Sequence, residues 1–120
     1  MVEAGQGIEA LETFYAEQAS MQENTAEPRV GKAALLKYER AAQAAVTNLR
    51  ASCIRPIFIV GDVAVVRWVF EYKSKSRSVR FEELAYQRWE NEQIIEEKFF
   101  YDPGQFKEQS ASNTERRSAA

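Results

Sequence analysis

The chain has 120 residues, with 16 Lys plus Arg against 18 Asp plus Glu, a net charge of −2, one cysteine and no histidine. That length gives one domain whose core needs no disulfide, and the near-balance of charge leaves no electrostatic footprint for nucleic acid. Without histidine, the usual general base, the common serine triad and the commonest metal ligand are all excluded.

Acid–base chemistry therefore falls to carboxylates, tyrosine, lysine or water. Cys53 alone forms no intrachain disulfide, and its place in a predicted strand reads as a small core residue rather than a nucleophile. Met1–Leu11 holds Glu3 and Glu9 and lacks the basic start and apolar run of a secretory leader. No stretch reaches membrane-span length, so a cytoplasmic protein that does not enter the membrane is expected.

Ile8, Leu11, Phe14 and Tyr15 recur at helical spacing and predict an amphipathic helix over 8–19. Ser20–Glu23 reads as a short extended piece, and Asn24–Gly31, punctuated by Pro28, as a loop. An alanine-rich helix is predicted over Lys32–Leu49, with Leu35, Leu36, Tyr38 and Val46 on its apolar side.

The period then changes to two. Ala51–Val60 is a strand interrupted by Pro56, which marks an edge or a bulge. Gly61-Asp62 signals a tight hairpin into Val63–Tyr72. Polar turns at 73–76 and 90–93 separate the strands Ser78–Trp89 and Ile94–Tyr101, and Asp102-Pro103-Gly104 stops the last one. Residues 107–120 hold few apolar side chains and are expected to be a disordered tail. Helices first and an antiparallel meander after them give an α+β fold with helices on one face of the sheet. No motif for phosphate binding and no metal-ligand cluster stands out; Gly5-Gln-Gly7 follows no strand.

In order, five stretches resemble the SnoaL-like branch of the nuclear transport factor 2-like superfamily over about residues 8–106. They are Tyr15–Glu23, Pro28–Gly31 ahead of the alanine-rich helix, Arg67–Tyr72, Leu84–Trp89 and Glu97–Pro103. The resemblance implies a cystatin-like cone: a curved antiparallel sheet, N-terminal helices packed on its concave face, and a pocket between them, all within a domain of residues 1–106.

Ketosteroid isomerase is similar in this sense, and by that match its general base falls on Glu23. Its oxyanion-hole aspartate falls near Ala85, and its catalytic tyrosine, on a first helix, finds no clear counterpart. Steroid isomerisation is therefore not expected. SnoaL-like cyclases place an aspartate on the late strands, but Asp102 before Pro103 reads as a turn.

On the face turned to the implied pocket, alternation collects Val66, Trp68, Phe70, Phe81, Glu83, Ala85, Gln87, Glu97, Phe99 and Tyr101. Tight hairpins would set Gln87 opposite Glu97 and Glu83 opposite Tyr101. Glu23, Glu83 and Glu97 are the candidate acid–base groups, since a desolvated carboxylate has a raised pKa. Trp68, Phe70 and Phe99 are the candidate wall, with Gln87 and Tyr101 as hydrogen-bonding partners. The competing reading is that Glu83, Gln87 and Glu97 only bind one another or Tyr38 and fix the core.

The other face carries Val63, Val65, Arg67, Val69, Glu82, Leu84, Tyr86, Arg88 and Phe100, a mixture that suits a homodimer interface centred near Arg67 and Arg88. The alternative is a solvated face with cross-strand ion pairs. Two functions follow from the resemblance. One is a cofactor-independent cyclase, isomerase, hydratase or dehydratase acting on a small apolar oxygenated ligand. The other is a non-catalytic ligand-binding or dimeric scaffold module.

Overall fold

Residues 6–106 are described in the computed structural model. The expected disordered tail, 107–120, lies outside the described residues. The elements run α1 (Gly7–Phe14), β1 (Tyr15–Glu23), β2 (Arg29–Val30), α2 (Lys32–Ala44), β3 (Thr47–Val60), β4 (Val63–Ser74), β5 (Arg77–Glu90) and β6 (Gln93–Phe100). They build an α+β fold around one curved, unclosed sheet of six strands, ordered β2-β1-β6-β5-β4-β3. All pairings are antiparallel except β1 on β6, which run parallel.

Both predicted helices end early, and the reason is tertiary. The first was expected to reach residue 19, but the backbone turns extended at Tyr15 (φ −99°, ψ 138°) and pairs with Ile94 of β6. Helical spacing placed Tyr15 beside Leu11 correctly, but sheet pairing along β1 outweighs one more turn of helix. The second was expected to run to Leu49 and ends at Ala44. There β-branched Val46 and Thr47 disfavour helix, Asn48 takes a left-handed φ of 54°, and Thr47 pairs with Lys73.

Pro56 lies in an edge strand, β3, at a register break between Ile54 and Phe58, as its missing N–H requires. Cys53, read as core, is only half-buried, opposite Trp68. The predicted registers hold. Gln87 pairs with Glu97, and Leu84 with Phe100, which brings Glu83 level with Tyr101.

The densest core lies where α1 and α2 meet β1 and β6. Leu11, Tyr15, Ala19, Met21, Leu35 and Ile94 are buried there, with Trp89 and Phe99 against them. A second apolar row crosses β4 and β5. Trp68 and Phe70 ring centroids lie 5.9 Å apart, and Phe70 stacks on Phe81 at 5.2 Å. The C-terminal turn closes on this row through Phe106, 4.9 Å from Phe81. Both helices lie over the concave face, so a space remains between their inner sides and the aromatic row.

The β5–β6 hairpin turns on Asn91 and Glu92, both left-handed, with φ of 50° and 65°. Asparagine tolerates that conformation and glutamate does not. Glu92→Gly is expected to stabilise the domain by about 1 kcal/mol, read as a higher urea midpoint. An unchanged or lower midpoint would show that the turn carries no such strain.

Candidate functional site

The space under the helices is a cavity of about 400 Å³. The sheet contributes Trp68, Phe70, Phe81, Glu83, Gln87, Glu97 and Phe99, and α2 contributes Tyr38, Glu39 and Gln43. Of the residues expected at a site, Glu23, Glu83, Glu97, Trp68, Phe70, Gln87 and Phe99 therefore line one cavity. Tyr101 does not. Its ring stands behind the wall against Phe81 and Phe106. A separate groove of about 560 Å³ beyond the sheet's other end is lined by the polar side chains Arg50, Glu71, Lys73 and Arg80.

Two polar groups sit in the cavity wall, and both are closed on themselves. In the first, Glu97 is 2% exposed. The Tyr15 hydroxyl donates to its Oε1, and Gln87 Nε2 donates to its Oε2 at 2.7 Å. Gln87 Oε1 in turn accepts from the Trp89 indole N–H at 3.2 Å. The chain Trp89–Gln87–Glu97–Tyr15 thus leaves neither carboxylate oxygen without a donor. Burial pushes the Glu97 carboxyl up to about 7, the hydrogen bonds from Tyr15 and Gln87 pull the other way, and Glu39 adds to the rise. Burial and the neighbouring carboxylate hold the Tyr15 hydroxyl well above the ordinary tyrosine range, so it stays a donor.

In the second group, Glu23 Oε2 accepts from Arg29 Nη1 at 3.0 Å and Oε1 accepts from the Tyr101 hydroxyl at 3.1 Å. The Arg29 guanidinium lies over the Tyr38 ring, 3.6 Å from its centroid. Asn24 locks the corner, its Oδ1 accepting from the Tyr101 backbone N–H at 3.0 Å. Glu23 is thus anchored through both oxygens, by Arg29 and by Tyr101. Burial, then Glu23, push the Tyr101 hydroxyl up to about 12.

Glu83 differs from both. It stands on β5 opposite Trp68, half-buried, and among the described residues it has no hydrogen-bond donor and no cation beside it. Desolvation, then the charges of Glu97, Glu23 and Glu39, raise its carboxyl to about 8. At neutral pH Glu83 is a carboxylic acid that faces the cavity with a proton to give.

Sequence reasoning missed Tyr15, Arg29 and Glu39 as members of this site. Alternation along one strand finds side chains of the sheet. It cannot find those that α1, β2 and α2 bring over the sheet. The search for a tyrosine on a separate first helix also passed over Tyr15, at the helix–strand junction. The first group matches part of the structural reading, since Gln87 and Glu97 do bind each other. Glu83 escapes it, and Tyr38 stacks on Arg29 instead of joining Glu97.

The folded protein holds the protons of Glu83 and Glu97 more tightly than an open chain, whose carboxyls titrate at 4.5. Stability must therefore fall as pH rises from about 4.5, through 7 for Glu97 and 8 for Glu83, and level off above. Denaturant midpoints measured between about pH 5 and pH 9 are expected to show that fall. Glu83→Gln, which mimics the protonated acid, should remove its upper part. Parallel curves for parent and variant would contradict the assignment of the upper limb to Glu83.

A family model described as a SnoaL-like domain matches residues 2–97. No protein of curated function matches the chain. Among solved structures, one from Catenulispora acidiphila, with a ketosteroid isomerase-like fold and in complex with trimethylamine, is 16% identical. It covers 88% of this chain and 83% of its own, with a TM-score of 0.76. An LEH-like epoxide hydrolase from M. tuberculosis is 11% identical, covers 99% and 89%, and has a TM-score of 0.77. IdmH of Streptomyces antibioticus, a candidate polyketide cyclase, is 19% identical, covers 92% and 90%, and has a TM-score of 0.74. At these identities the likeness establishes the fold and leaves the reaction open.

Proposed function

The chain belongs to the SnoaL-like domain family, and on that premise we propose that it binds a small, largely apolar oxygenated molecule in the concave cavity and moves a proton on it without a cofactor. The reaction class is cyclisation, isomerisation, hydration or dehydration. The observation that carries this reading is Glu83, a partnerless carboxylic acid with a pKa near 8 in an aromatic-walled cavity of about 400 Å³. A structural network satisfies its polar groups, whereas an acid left without a partner and facing open space is positioned for a ligand. That structurally similar proteins include one in complex with trimethylamine supports a small-molecule role for the cavity.

Roles follow from the geometry. Glu83 gives the proton and takes it back. Trp68, Phe70 and Phe99 hold the apolar body. Glu97 is a positioning residue that holds Gln87 and Tyr15 in place, and Glu23 with Tyr101 fixes the far wall. This departs from the match to ketosteroid isomerase, under which Glu23 would be the base. Arg29 and Tyr101 occupy both oxygens of Glu23, which leaves neither of them turned to a ligand.

The test separates binding from turnover. Oxygenated apolar compounds are screened by the shift of the Trp68 indole N–H resonance, and binders are followed for conversion and for deuterium uptake from D₂O. At saturating compound, Glu83→Gln is expected to lose conversion by about 100-fold or more. Conversion at the parental rate would remove Glu83 from the chemistry, and a compound bound but never converted would favour the ligand-binding module.

The protein is further proposed to be a cytoplasmic homodimer through the convex face. Leu84, Tyr86 and Phe100 are exposed there at 46%, 36% and 47%. Arg67 pairs with Glu82 at 3.0 Å and Arg88 with Glu96 at 3.6 Å, so both arginines can be covered without stranding a charge. Val65→Asp is expected to give a monomer by sedimentation. A variant that still sediments as a dimer would dispose of this interface.

A further inference from the structure

We propose that the cavity selects a ligand bearing an ammonium group, whose positive nitrogen lies against the Glu83 carboxylate beside Trp68. This rests on the small-molecule reading of the same cavity and names the charge of what enters it.

The charges around the cavity are unbalanced. Four carboxylates face it from four elements: Glu23 on β1, Glu39 on α2, Glu83 on β5 and Glu97 on β6. Arg29 is the single cation among the lining residues, and it is committed to Glu23. Glu97 is satisfied by Tyr15 and Gln87, and Glu39 accepts from Gln43 Nε2 at 3.1 Å. Only Glu83 lacks a donor. An anionic ligand would add a further negative charge beside these clustered carboxyl groups in a half-desolvated space, with no uncommitted cation among the lining residues to balance it, so carboxylates and phosphates are disfavoured.

The wall next to Glu83 is what an organic cation needs. Trp68 is its direct cross-strand neighbour, and the row continues to Phe70 and Phe81. The next cross-strand pair on the same face is the small Val66 with Ala85, followed by Ala64 with Gln87. A cation set between an indole and a carboxylate gains from both, more so when water is excluded. The occupant must therefore bring a positive nitrogen and an apolar body.

The proton balance is simple. An amine arriving as the free base takes the proton from the Glu83 carboxyl, its lone pair forming the N–H bond as the O–H bond breaks. A protonated or quaternary amine instead displaces that proton to solvent. Both routes end in the same ammonium–carboxylate pair. The groups that set this exchange are Glu23, Arg29, Glu39 and Glu97, with the tyrosines Tyr15 and Tyr38 neutral.

The test uses the full chain and three probes: phenyltrimethylammonium, its uncharged isostere tert-butylbenzene, and phenylacetate. Binding is read at the indole N–H resonances of Trp68 and Trp89. The cation is expected to bind about tenfold or more tightly than tert-butylbenzene, with no binding of phenylacetate. Glu83→Gln should cut the cation's affinity about tenfold and leave the hydrocarbon within about twofold. Equal affinity for cation and isostere in the parent protein overturns the inference and leaves the cavity an apolar site. That comparison needs no variant. Failure of all three probes to bind would refute the small-molecule reading itself, and the inference with it.

Discussion

The carboxylate of Glu97 holds the domain's interior together. It is buried to 2% exposure and tied at once to Tyr15, where α1 becomes β1, and to Gln87 on β5. An ionised carboxylate cannot stay dry without donors, so these two must be where they are. The first strand therefore lies parallel to β6, the helices come down over the concave face, and the remaining space becomes a cavity. Breaking one of these bonds would strand a buried donor or acceptor at a cost of about 1–3 kcal/mol, a large share of the stability of a domain this size.

The cavity's chemistry comes from how unevenly its carboxylates are satisfied. Glu97 and Glu23 are each bonded through both oxygens, by Tyr15 and Gln87 in one case and by Arg29 and Tyr101 in the other. Neither offers a ligand an oxygen that lacks a donor. Glu83 stands in the field they create, with no donor of its own, and holds its proton into the neutral range. The bonded groups thus raise the proton affinity of Glu83, and the desolvation that keeps it neutral also destabilises the folded state as pH rises.

The outer face follows a different logic. Its strands carry arginine–glutamate pairs, as between Arg67 and Glu82, set among exposed apolar side chains. In water each pair contributes little. In the proposed homodimer these charged residues would be covered already paired, and the apolar ones between them would supply association energy. The end of β3 extends this apolar surface, with Phe58 and Val60, opposite Val65 and Val63, exposed at 63% and 80%.

The sequence by itself determined the two helices and the strands β3 to β6, the hairpin registers and the two faces of the sheet, but read strand β2 (Arg29–Val30) as loop and the start of β1 as helix. The reason is that period-two alternation and turn residues such as Gly61-Asp62 act locally. It also named most of the cavity's sheet residues, including Glu83 and Glu97. Tertiary structure alone decided where the helices stop, because strand pairing at Tyr15 and Thr47 outweighs the helical preference of the segments. It alone brought Tyr15, Arg29 and Glu39 over the sheet, since contact between elements distant in sequence leaves no periodic trace. And it alone separated three similar glutamates into two bonded through both oxygens and one that, among the described residues, has no donor. That difference lies in which donors come within 3 Å or so of each carboxylate, which the residue type does not encode.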